Sequence, residues 1–252
     1  MTRNAAAYGL RTRIADGIAW LTLERARTGN RITQALAQDL CRRAAELEED
    51  DHVVAVVLAA SGAHFCLGVE KGGDWERQVD WVEAIARLTR PVIAVIQGDA
   101  LAEGLELALA CDLRVASDRA RFALPQLQAG RLPSHGGTQR LPRTIGRTRA
   151  LELLLSGRRI DAAEAEMIGL ISRVVPHRSL GRAVRLLVDT LKRKGPIALR
   201  YAKEAVLSGL DLPLDQGIRL EEDLYVLLQT TRDRRQGITA FLHHRKPVFR
   251  GT

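Results

Sequence analysis

Apolar positions along this chain change period as it runs. Ile18 to Leu23 and Val53 to Leu58 are short, nearly continuous apolar runs and predict buried strands. Between them Leu36, Leu40, Ala44 and Leu47 recur at helical spacing; Thr33 stands at the start as a cap, and the acidic turn Glu48 to Asp51 closes the helix. A glycine-containing loop, Ser61 to Gly73, leads to a second helix with Val82, Ile85 and Leu88 inside. The strand Val92 to Gln97, a turn at Gly98, a helix through Leu105 to Ala110 and the strand Leu113 to Ala116 follow. Strand, loop and helix alternate in this way through the first two thirds, which predicts a mostly parallel α/β arrangement. Asp161 followed by Glu164 reads as another helix start, and Gly169 to Pro176 as its exit into a strand. From about Pro196 the strand signals stop. Helical stretches such as Leu199 to Leu207 and Leu220 to Leu228 take over, so residues 1–195 are expected to form the α/β core and 196–252 a helical subdomain.

Composition changes little in this picture. With 252 residues, 46% of them apolar, the chain can bury a sizeable core without a metal or disulfide. Cys41, Cys66 and Cys111 are odd in number and widely spaced, which points to neither a disulfide framework nor a zinc site and fits a reducing compartment. Met1 to Leu10 lacks the apolar run of a signal peptide and no stretch approaches a membrane span, so a cytoplasmic protein with no membrane partner is expected. Lys and Arg number 38 against 30 Asp and Glu, an excess of 38 − 30 = 8 that attracts polyanions. Aromatic residues are only 4% and no base-stacking motif occurs, so specific RNA reading is unsupported, and phosphates of a small ligand are an equally good partner for the basic surface.

Common catalytic signatures are missing. There is no GxxxxGK[ST], no GxGxxG after a strand, no HExxH and no GxSxG, which weighs against nucleotide hydrolysis, hydride transfer, zinc hydrolysis and α/β-hydrolase chemistry. His243 and His244 are adjacent, a spacing that suits a solvated helix end. Two loops follow buried strands: His64-Phe65-Cys66-Leu67-Gly68-Val69-Glu70 and Gly98-Asp99-Ala100-Leu101-Ala102-Glu103-Gly104-Leu105-Glu106-Leu107. Unpaired amides at such places can hold a developing oxyanion; equally, both loops can be plain strand-to-helix turns.

The stretch from Arg90-Pro91-Val92-Ile93 through Glu106-Leu107-Ala108-Leu109-Ala110-Cys111-Asp112 to Ser117 resembles the signature region of the enoyl-CoA hydratase/isomerase (crotonase) family. So do Phe122-Ala123-Leu124-Pro125-Gln126, Gly136-Gly137-Thr138-Gln139-Arg140-Leu141-Pro142-Arg143, Leu155-Ser156-Gly157-Arg158, Ala162 to Leu170 and Val174-Val175-Pro176. The end of the chain, Ala240-Phe241-Leu242 to Phe249, is similar to the family's C-terminus. Nearly the whole length is covered.

That resemblance implies a spiral of ββα units with a C-terminal helical trimerisation subdomain, assembled as a homotrimer or a dimer of trimers. It implies an acyl-CoA substrate, with coenzyme A present only as part of that substrate and no other cofactor or metal. The amides of Val69 and Glu103 would hold the thioester oxygen as it becomes enolate-like. Both positions depart from the family's usual Ala and Gly, and a carboxylate at Glu103 opposes a forming anion unless it points away. Glu106 matches the first of the two glutamates of typical hydratases; it also suits a plain carboxylate at a helix start. The second glutamate is replaced by Gln126, which can orient a water but cannot exchange a proton at neutral pH. Ser134 or His135 could supply that missing transfer, or His135 could simply be a surface or helix-entry histidine.

For the coenzyme A arm the resemblance implicates Leu67 on the first loop and basic side chains at Arg25, Arg27 and Lys71, with Lys246 and Arg250 reaching in from a neighbouring subunit. Trp75 and Trp81 would line the acyl pocket or belong to the core. The expected activity is hydration of a 2-enoyl-CoA, with Glu106 as base and Gln126 positioning water. An enoyl-CoA isomerase with a single Glu base, or a catalytically impaired chain of this fold that binds RNA or another partner, are the rivals; a thioester hydrolase or decarboxylase ranks below them.

Overall fold

The computed structural model describes residues 4–70, 72 and 80–252. Elements are numbered in chain order. The chain opens with an antiparallel pair of hairpins, β1 (Asn4–Ala7), β2 (Leu10–Ala15) and β3 (Ile18–Leu23). Each turn is two residues long, and Tyr8, Gly9, Asp16 and Gly17 all have positive φ, the backbone twist that a two-residue hairpin requires. The sequence reading included only β3 of these three. The Asp16-Gly17 pair is the signal that marks the hairpin.

From β3 onward the sheet is parallel. β4 (Ala55–Ala60), β5 (Val92–Ile96), β7 (Leu113–Ser117) and β10 (Arg173–Val175) add in turn, giving the order β1-β2-β3-β4-β5-β7-β10. β4 begins two residues later than expected because the Val53 N–H is taken by the Asp50 carbonyl and the Val54 N–H by Gly17. A second, three-stranded sheet combines β6 (Ala100–Leu101), β8 (Arg121–Ala123) and β9 (Ile160–Asp161).

The expected caps form. Thr33 Oγ1 accepts from the Leu36 N–H and starts α1 (Gln34–Glu48), which buries Leu36, Leu40, Ala44 and Leu47. Asp161 accepts from Glu164 N–H and starts α6 (Ala162–Met167). On one face of the large sheet α1, α2 (Trp81–Ala86) and α3 (Glu103–Leu109) enclose the main core around Leu21, Leu58, Phe65 and Ile96. The opposite face is covered by α7 (Leu180–Leu191), whose Leu180, Val184 and Val188 meet Ile18, Val57, Ile93 and Val115. α4 (Gly137–Ile145) and α5 (Arg147–Ser156) follow the segment that faces α3.

Residues 196–252 carry α8 (Pro196–Gly209), α9 (Leu214–Gln229) and α10 (Arg232–Leu242), with no strand among them. α8 is tied to the sheet by Lys203 Nζ, 2.8 Å from Asp112 and 3.1 Å from the Arg90 carbonyl. The tail folds back on α10: Arg250 and Gly251 N–H both donate to the Asp233 carboxylate at 2.8 Å. Large apolar side chains stay exposed on these helices, among them Val206, Tyr225, Val226 and Phe241. His243 and His244 lie exposed just beyond α10, as their spacing suggested.

Candidate active site

Three segments meet where β4, β6 and β8 end. The first, 64–70, is pinned by Asn30, whose side-chain amide donates to the Ser61 carbonyl at 2.8 Å and to that of His64 at 2.7 Å. The second enters α3 through Ala102, a non-glycine residue at φ 51° and ψ −125°. Such a conformation costs on the order of 1–3 kcal/mol and persists only where the surroundings impose it. Here they do: the Ala102 N–H donates to Ala123 and the Ala102 carbonyl accepts from Leu105 and Glu106. Gly104 then presses against the first segment, where an added Cβ would stand 2.1 Å from the Cys66 carbonyl oxygen. Only glycine fits there. Val69 and Glu103 keep ordinary φ, and the positive values fall on their neighbours Gly68 and Ala102.

The expected oxyanion donors are therefore brought to one place, but the Val69 amide is already engaged. Its N–H donates to Glu103 Oε2 at 3.1 Å. The Glu103 side chain is only 5% exposed, and its other oxygen lies 3.6 Å from Arg131 Nη1. The carboxylate does not point away from the Val69 amide; it accepts from it. The Glu103 amide is at the first position of α3, where a helix leaves its N–H groups without intrahelical partners.

Glu106 is completely buried on the same helix. Its Oε1 accepts from the His135 N–H at 2.7 Å and the Gly137 N–H at 2.9 Å, and its Oε2 accepts from Gln126 Nε2 at 3.1 Å. Burial pushes its carboxyl up to about 7, with the Glu103 charge adding to the effect and the two amides holding it back. A carboxylate so poised can both accept and return a proton near neutral pH. Gln126 begins the short 3-10 turn Gln126–Ala129, and its Oε1 is buried without a hydrogen bond.

Ser134 and His135 adjoin this group through the backbone more than through their side chains. The His135 ring is buried, not on the surface, with Nδ1 3.1 Å from Ser134 Oγ and its centroid 5.1 Å from that of Trp81. Burial lowers its pKa from the usual value, which favours the neutral ring over the protonated acid. Trp81 is a core residue that forms the wall beside His135. Cys66 is no nucleophile, because burial pushes its thiol up to about 12.

The positions implicated for coenzyme A divide. Arg25 is committed to structure: it donates to the Arg31 carbonyl at 2.6 Å and pairs with Glu70 at 3.3 Å. Arg27 is exposed beside it. Leu67 spends its backbone on Gly29, at 3.0 Å, and on Arg31 Nη1, at 2.7 Å. Lys246 and Arg250 lie exposed on the tail, which packs against α10. Lys71 and Trp75 lie outside the described residues. Three residues given no role by the sequence hold the site together: Arg31 under the first segment, Arg140, which donates to the His135 carbonyl at 2.8 Å, and Arg131 on Glu103. No local pattern marks Arg31 or Arg131 among 38 basic residues, and Arg140 stands in the run Gly136 to Arg143, which does not by itself reveal its contact.

The architecture agrees with that of known proteins. A family model described as enoyl-CoA hydratase/isomerase matches residues 13–252. The 2,3-dehydroadipyl-CoA hydratase of Escherichia coli (strain K12) is 34% identical over 241 residues, 92% of this chain and 94% of that protein. An enoyl-CoA isomerase/hydratase of Mycosarcoma maydis is 34% identical over 273 residues, the whole of both chains. A solved enoyl-CoA hydratase from Bacillus anthracis superposes with a TM-score of 0.92 at 34% identity, over 97% of this chain and all of that one. No helix among the described residues is long and apolar enough to cross a membrane. With its crotonase fold and a family model matching it from residue 13 to 252, the chain belongs to the enoyl-CoA hydratase/isomerase family.

Proposed function

We propose that the protein is an enoyl-CoA hydratase, adding water across the 2,3 double bond of an acyl-CoA thioester. The observation that carries this reading is Glu106, a wholly buried carboxyl bonded to Gln126, whose burial pushes it up to about 7. Gln126 donates to Glu106 and keeps Oε1 as an acceptor, while Glu106 Oε2 has acceptor capacity left. A water that donates one O–H to each of these oxygens turns a lone pair outward, towards C3 of the substrate. Glu106 takes the proton as the C3–O bond forms, the double-bond electrons move towards the thioester oxygen, and the same carboxyl returns the proton to C2. Gln126 orients and does not transfer. The amides of Val69 and Glu103 hold the enolate oxygen, each such donor being worth about 3 kcal/mol of barrier.

The coenzyme A arm runs along 64–70 in this reading, with Arg27 free at the rim. The exposed apolar side chains of α8 to α10 suit burial against further copies of the chain, as a trimer or a dimer of trimers. Loss of the enoyl thioester absorbance with crotonyl-CoA and longer analogues tests the activity; no hydration at any chain length rejects it.

One observation favours a second reading. Gln126 touches Glu106 directly, and a single carboxylate suffices to carry a proton between C2 and C4 in an isomerase. Oxygen-18 from solvent water enters the product only by hydration.

A further inference from the structure

The Glu103 carboxylate is the unabsorbed feature of this site. It accepts from the Val69 N–H at 3.1 Å, is almost wholly buried, and sits so close over Gly68 that a Cβ there would stand 2.5 Å from Glu103 Oε2. An anion already occupies the place where the proposed reaction develops one. Two negative groups cannot share a single N–H donor, because the like charges repel and only one of them can make the bond.

From this geometry we infer that Glu103 is an internal ligand of the oxyanion site, one that the substrate's thioester oxygen must displace, with Arg131 receiving the displaced carboxylate. The inference rests on the proposed acyl-CoA reading and concerns regulation of that same site. Three observations support displacement over permanent closure. The obstruction is a side chain: the backbone of Glu103 is held by the constrained Ala102 and by Gly104 against Cys66, so rotation of the side chain leaves both amides aimed as they are. A destination exists, since Arg131 Nη1 is already 3.6 Å from Glu103 Oε1. Finally, the Arg131 side chain is 58% exposed, a long arm at the rim of the site that can follow the carboxylate outward. In the closed state the carboxylate also joins the 64–70 segment to the segment after Gln126, through Val69 on one side and Arg131 on the other. Selectivity follows: a ligand with a carbonyl oxygen strong enough to compete opens the site, and one lacking it does not.

The test compares butyryl-CoA, a saturated thioester that cannot be hydrated, with S-butyl-CoA, the thioether that lacks the carbonyl oxygen. Calorimetry measures both with the wild-type protein and with Glu103→Ala, Glu103→Gln, Arg131→Ala and the Glu103→Ala/Arg131→Ala double variant. Removing the internal carboxylate is expected to tighten thioester binding about tenfold or more, the worth of a charge-assisted hydrogen bond, and to leave thioether binding unchanged. The isosteric Glu103→Gln should fall between, and covers the case in which the Ala variant does not fold. Arg131→Ala should weaken thioester binding several-fold on its own and have no effect once Glu103 is gone. Equal or weaker thioester binding in both Glu103 variants overturns the inference, as does an equal gain for the thioether. If the wild-type protein hydrates crotonyl-CoA in that event, the proposed function stands without the displacement. If no form binds either ligand, the acyl-CoA reading falls and takes the displacement with it.

Discussion

Gln126 Nε2 donates to Glu106 Oε2 at 3.1 Å, so the two side chains expected to flank a water are bonded to each other. The contact explains why a glutamine is tolerated in that place. Glu106 is fully buried, and an amide donor stabilises its ionised form where a second carboxylate would oppose it.

Replacement of the base tests the role directly. Glu106→Gln keeps the shape and the acceptor for the His135 and Gly137 amides, and Gln126 can turn its amide to meet the new side chain. Hydration of crotonyl-CoA should fall by about 10²–10⁴-fold while the circular dichroism spectrum stays unchanged. Retention of most of the activity would remove Glu106 from the mechanism.

The pH dependence has two consequences of opposite use. With Glu106 as the proposed base, kcat/KM should rise with pH and level off above about 7. Stability should run the other way. The carboxyl binds its proton more tightly folded than unfolded, so its burial carries no penalty below the unfolded pKa, and the penalty grows as pH rises to about 7. Thermal melts of wild type and Glu106→Gln at pH 5 and pH 8 should therefore diverge, with the variant gaining on the wild type at pH 8. The full effect is on the order of 3 kcal/mol.

Gln126→Glu introduces a second carboxyl at the 3.1 Å contact. Like charge at that distance should move the acidic limb of the rate profile above 7 by about 1 pH unit or more and lower the melting temperature at pH 8. A rate profile identical to that of the wild type would show that Gln126 does not touch the Glu106 carboxyl in solution.

Ala102→Gly relieves a backbone that alanine adopts at a cost, since φ there is 51°. The variant should gain about 1 kcal/mol after the added freedom of the unfolded glycine is subtracted, or about 2–4 °C in melting temperature. Hydratase activity should survive, because the direction of the Glu103 amide is unaltered. A lower melting temperature would mean that the alanine methyl packs well enough to outweigh the strain.

Much of this protein could be read from its residues in order. The helix from Thr33 and the helix from Asp161 form as expected because their caps and their buried faces lie within a few residues of each other, where the chain has little choice. The same holds for the buried strands Ile18 to Leu23 and Val92 to Ile96, and for Glu106 on the helix after the turn. The antiparallel opening was missed because its signals are only Tyr8-Gly9 and Asp16-Gly17, pairs too short to stand out without the sheet they serve.

What decides the site lies across longer separations. Glu103 meets an amide donor 34 positions earlier, Glu106 is held by amides 29 and 31 positions later, and Arg131 comes to Glu103 from beyond Gln126. The sequence by itself determined that Glu106 would stand on a helix, with Glu103 on the loop just before it, and that strand ends would bring loops together there; that Glu103 already opens the helix came from the structure. Only the tertiary structure decided which carboxylate caps the Val69 amide and which is buried at a near-neutral pKa, because hydrogen-bond geometry and desolvation depend on what packs around a group in space, and neighbours along the chain do not specify that.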